Sequence, residues 1–139
     1  MTAVAAMAAA LCLSAPAAAG NTTITGSVIG DQWFGDLYST QAVVATIDFE
    51  TVRFNPAAGV YHVEGVEEFT GCLAVPGPDR CGTLTFRFQA WGRLDAAGNT
   101  LRGGCQHWIV ASGGGLAGAT GFIAMIDTPE TAYTGHIAL

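Results

Sequence analysis

Few side chains in this chain can carry proton, metal or nucleophile chemistry, so their positions are informative. The histidines are His62, His107 and His136. His62 and Glu64 stand at i and i+2, which sets them on one face of an extended strand, whereas His107 and His136 fall in other segments. Strands can assemble a zinc or iron site, yet there is no His-x-His pair and no HExxH helix, and no metal is expected. Neither Ser39 nor Ser112 lies in a nucleophile elbow. All 5 basic residues are arginines (Arg53, Arg80, Arg87, Arg93 and Arg102), so Schiff-base chemistry and a Walker phosphate loop are excluded. Gly113 to Gly118 spells GxGxxG, but a strand-like run follows where a dinucleotide site needs a helix. It reads as a turn, and no cofactor is expected.

Glu67 has the most telling setting. In Val60–Phe69, Tyr61, Val63, Gly65, Glu67 and Phe69 point one way, and Val60, His62, Glu64, Val66 and Glu68 the other. The first set is aromatic and apolar, so it faces the interior and brings Glu67 with it. A carboxyl enclosed by aromatics can serve as acid or base, which makes Glu67 the candidate catalytic residue. The competing reading is a structural carboxylate held by Arg87 or Arg102, because a buried ion needs a partner. The candidate ligand-binding side chains for an apolar molecule are Tyr61, Phe69, Trp33, Trp91, Trp108 and His107. Trp91 falls on the polar phase beside Arg87 and Gln89, and the tryptophans serve equally as a plug or a dimer contact.

The elements that position these residues have a period of two. In TLTFRFQAW, Leu84, Phe86, Phe88 and Ala90 alternate with Thr83, Thr85, Arg87 and Gln89, as in a strand with one apolar face. Further strands are expected at Thr22–Ile29, Thr40–Phe49, Val60–Phe69, Leu101–Val110, Gly121–Ile126 and Ala132–Ala138, with Val52–Phe54 as a short continuation. Asn55-Pro56, Pro76-Gly77-Pro78-Asp79, Asp95 to Asn99 and Ser112 to Gly115 supply turns. Asp31–Tyr38 reads either as a helical turn or as an aromatic loop. Seven or eight short strands with hairpin-length links predict a single all-β domain over 20–139, an up-and-down antiparallel barrel that removes exposed edges.

Residues 1–19 are alanine-rich, uncharged and end in Ala17-Ala18-Ala19, the pattern of a secretory signal cut before Gly20. The expectation is a secreted or extracytoplasmic protein with no membrane anchor after processing. Export makes Cys72 and Cys81, which flank the turn-rich LAVPGPDR, the natural disulfide pair, with Cys105 left over as a small hydrophobe or a reactive thiol. A formal charge of −6 argues against a nucleic-acid partner.

Three stretches, GVEEFTGCL, CGTLTFRFQAWGRLDAAGNTLRGG and SGGGLAGATGFIAM, together resemble a bacterial domain family of unknown function related to the allene oxide cyclase-like barrels. The resemblance spans roughly Gly65–Met125; the Pro-rich insertion between Cys72 and Cys81 and the Cys105-Gln106-His107-Trp108 run depart from it. It implies a small barrel with an apolar lumen, and a homodimer as a partner state. Three functions stand: an exported barrel binding an apolar small molecule without catalysis, a cofactor-independent cyclase or isomerase, and a structural or partner-binding module of the envelope.

Overall fold

The computed structural model describes residues 20–127 and 131–139. The segment read as a secretory signal lies outside the described residues. The chain forms β1 (Asn21–Ile29), β2 (Gln32–Gly35), β3 (Leu37–Ser39), β4 (Val44–Asn55), β5 (Val60–Leu73), β6 (Arg80–Leu94), β7 (Thr100–Gly114), β8 (Thr120–Ile126) and β9 (Ala132–Ala138). They make one antiparallel sheet in the order β2-β1-β9-β8-β7-β6-β5-β3, with β4 also on β5. From β5 to β9 each strand pairs with the next, which is the meander expected from the short links. β3 and β4 lie along the same edge of β5, so the sheet has eight staves and curls into a nearly closed barrel.

The alternation in β6 sets the inside. Leu84, Phe86 and Phe88 are buried while Arg87 between them and Trp91 farther along the same phase are exposed, the pattern that pleating imposes. The fourteen-residue β5 pairs with β6 from Val60↔Arg93 to Leu73↔Arg80. Near the end of that ladder Cys72 stands directly opposite Cys81 and the two form a disulfide, with their Cα atoms 3.9 Å apart. The turn-rich loop between them does bring the two cysteines together.

Asp31–Tyr38 is neither a helical turn nor a free loop. It supplies β2 and β3, which fold against each other at Gly35-Asp36 and close the barrel. Gly35 has φ 116°, a conformation that favours glycine, and this permits the bend. Trp33 N–H donates to Ser39 Oγ at 2.9 Å and Val43 N–H to the Asp31 carbonyl at 2.9 Å, so side chain and loop replace a ladder at the seam. Above Val43 no described strand pairs with the outer edge of β4. Every residue of β4 except Thr51 is exposed.

The core fills the lower end, where β5 finishes at Leu73. Ile24, Leu37, Phe69, Leu73, Leu84, Leu116, Ile123 and Ile137 are buried there, and the Gly113–Gly118 segment turns the chain so that Leu116 enters it. Trp33 lies across the middle, stacked on Phe86 at 5.6 Å and edge-on to Phe69 at 5.6 Å. Tyr133 ties the wall to the seam: its hydroxyl accepts from Leu37 N–H at 2.9 Å and donates to the Leu37 carbonyl at 2.6 Å.

Candidate functional site

Above Trp33 the interior changes character. Pleating of β5 places Tyr61, Val63, Gly65, Glu67 and Phe69 on the inner face, with the partners Gly92, Ala90, Phe88, Phe86 and Leu84 on β6. On β7 the same phase brings in Cys105 and His107. His107 is 2% exposed and sits edge-on to Trp33 and Phe86, with Phe88 tilted against it at 5.9 Å. Gly65 lets the Phe88 ring lie flat on the β5 backbone, and Gly92 does the same for Tyr61; a Cβ at either position would clash.

Glu67 Oε2 approaches His107 Nε2 to 3.5 Å, and Cys105 Sγ lies 3.6 Å from the same nitrogen. The Glu67 side chain is 13% exposed. Its other oxygen, Oε1, and His107 Nδ1 are both buried without a hydrogen-bond partner. Burial pushes the Cys105 thiol up to about 12, with Glu67 and Asp127 adding to it, so Cys105 stays protonated and is a poor nucleophile. Asp127 lies at the rim; burial raises its carboxyl, against the Thr131 hydrogen bond and the nearby His107. Tyr61 is raised as well, by burial first and then by Asp127 and Cys105.

The residues singled out from sequence divide into three groups. Glu67, His107 and Tyr61 line the upper interior, with Glu67 and His107 in contact. Phe69 and Trp33 belong to the packed middle and lower core, where Trp33 is the plug and also a wall for His107. Trp91 and Trp108 stand on the outer face. Trp91 is 47% exposed over Gly104, and Trp108 packs on Phe122 beside a shallow groove of about 310 Å³ shared with Arg87, Gln89 and Val110. His107 and Trp108 are adjacent on one strand, and pleating sends them to opposite faces. The arginine partner expected for Glu67 is not what the fold supplies: Arg87 is on the outer phase and reaches Glu64 at 3.6 Å, with Gln89 donating to the same carboxylate at 3.0 Å. His62 and His136 also face outward, opposite Trp91 and Phe122. Among the described residues no three of His, Cys, Asp and Glu gather as a metal site.

Sequence reasoning missed Ile47, Phe54 and Asp127. Ile47 pairs with Gly65 and Phe54 with Tyr61, so both face the inner side, yet they are 39% and 55% exposed because nothing described covers β4 there. The upper interior thus has an apolar, partly exposed rim and a polar floor of imidazole, carboxylate and thiol. Asp127 follows Ile123 and Met125 in the inward phase of β8, a signal that was present in the alternation.

The fold defines the class as a small, nearly closed antiparallel β-barrel. No family model, no curated protein and no solved structure matches the chain.

Proposed function

We propose that this protein binds a small, largely apolar molecule in the upper half of its barrel, with the ligand's polar end on Glu67 and His107. The observation that carries the reading is the pair of buried, unpartnered atoms, Glu67 Oε1 and His107 Nδ1. Nearly all buried polar groups in folded proteins are bonded, and each one left unmade costs about 1–3 kcal/mol. A ligand bearing a hydroxyl, carbonyl or carboxyl group meets that need, while its apolar body rests along Tyr61, Val63, Ile47 and Phe54. Processing before Gly20 and export accompany this reading.

A second reading keeps the same site and adds chemistry: a cofactor-independent cyclase or isomerase, of the kind associated with the allene oxide cyclase-like barrels that the chain resembles. What favours it is the imidazole and carboxylate 3.5 Å apart on the floor of an apolar space, a pair suited to taking and returning a proton.

Native mass spectrometry of the protein purified from its own source tests the first reading. A retained mass is expected on the wild type, with its occupancy reduced in Glu67→Gln by about tenfold, the loss of one hydrogen bond. Apoprotein alone in the wild type counts against it. On the second reading, the released compound includes a substrate and a product of equal mass that separate chromatographically, and Glu67→Gln retains the former and forms none of the latter.

A further inference from the structure

The outer edge of β4, the strand that also carries Ile47 and Phe54 of the inner rim, has a pattern that the barrel itself does not use. Between Asp48↔Glu64 and Arg53↔His62 the register shifts, so that four residues of β4, Phe49 to Val52, face a single residue of β5. Thr51 anchors this excursion by accepting from Glu64 N–H at 2.9 Å, and Arg53 by donating to the Glu50 carbonyl at 2.8 Å. Glu64 and His62 are two apart on β5, so Asp48 and Arg53 share the same phase, in side-chain direction and in which way their backbone groups point. Ile47 and Phe54 share the opposite phase. Without the excursion, residues five apart would point to opposite faces.

We infer that β4 is a self-complementary edge that pairs antiparallel with β4 of a second copy of this chain, about a two-fold axis between Glu50 and Thr51. In that register Ile47 meets Phe54, Asp48 meets Arg53 and Thr46 meets Asn55, each pair occurring twice, and the two excursions, whose backbone groups are bonded within their own chain, lie opposite each other at the axis. Apolar faces apolar and acid faces base, and the phase set by the excursion puts both members of the Ile47–Phe54 and Asp48–Arg53 pairs on one face. The edge is exposed and carries large apolar side chains: Phe49 is 82% exposed and Phe54 55%. Arg53 has no carboxylate partner within 4.0 Å among the described residues. An unpaired strand edge of this length is a template for pairing with another chain, and a two-fold contact closes after two copies and forms no fibre. The inference stands independently of the ligand reading.

Sedimentation velocity on the purified protein tests it through charge complementation. The wild type is expected as a dimer, and Ile47→Lys alone and Phe54→Glu alone as monomers with unchanged circular dichroism. An equimolar mixture of the two variants is expected to dimerise, because the two-fold then brings one new charge of each sign together and leaves the other Ile47–Phe54 contact native. If either variant fails to fold, Thr46→Lys and Asn55→Glu test the same register. A monomeric wild type, single variants that remain dimers, or a mixture that stays monomeric would each overturn the inference.

Discussion

The lower half of the barrel bonds the polar atoms it encloses: the Tyr133 hydroxyl serves both the N–H and the carbonyl of Leu37. The upper half, built from the same long strands, holds a carboxylate and an imidazole at 3.5 Å and leaves an atom of each without a partner. Below Trp33 the side chains are branched aliphatics and interlocked rings; above it they are tyrosine, valine, glutamate, histidine and a cysteine, under a wall that β4 leaves partly open. The contrast teaches that one stretch of alternating sequence can serve two purposes. The lower half packs and bonds what it encloses, and the upper half encloses polar atoms that it leaves unbonded.

The contrast can be broken most forcefully at its boundary. Trp33→Ala removes the plug and is expected to cost about 3–5 kcal/mol in denaturant unfolding, the range for large core truncations. Replacing both Cys72 and Cys81 by serine is expected to cost about 2–3 kcal/mol, since the short loop they close is freed in the unfolded chain. Tyr133→Phe leaves Leu37 N–H buried and unbonded, for a loss of about 1–3 kcal/mol. If any of these proved silent, the lower half would not be the stabilising region.

Alkaline pH sharpens the comparison from another side. Burial carries Cys105 from 9.0, and Tyr133 from 10.0, up to about 12 in the folded protein. Their folded values lie above the unfolded ones, so folding is favoured by keeping both protons. That contribution is whole below about pH 9 and is lost as pH rises toward about 12, because the unfolded chain releases protons the folded one retains. Unfolding midpoints should therefore fall across that window, and Cys105→Ala should flatten part of the fall. A flat profile in the wild type would mean that the two groups are less buried than described.

Much of this was legible in the residues themselves. The alternation of Leu84, Phe86 and Phe88 marked the inner face, the phase of Tyr61 to Phe69 placed Glu67 inside, and Cys72 and Cys81 identified their own bond through the turn between them. Partnership across strands was not legible. Phase tells which face Glu67 occupies, but barrel curvature and register decide that His107, two staves away, meets it in place of an arginine. Asp31–Tyr38 escaped because two strands of four and three residues are too short to show a period, and the bend at Gly35 separates Trp33 from Leu37. The β4 excursion hid the common phase of Ile47 and Phe54 for a related reason: extra residues break the alternation that sequence reading depends on.

The most direct measurement of the central claim, that Glu67 and His107 serve a ligand rather than the fold, is the unfolding free energy of ligand-free Glu67→Leu/His107→Phe against ligand-free wild type. The expected result is equal or higher stability, by up to about 1–4 kcal/mol, as for other buried polar pairs replaced by apolar groups, together with loss of the retained mass. A loss of about 3–5 kcal/mol in the double variant, comparable with Trp33→Ala, would contradict the account and return the pair to the structural core.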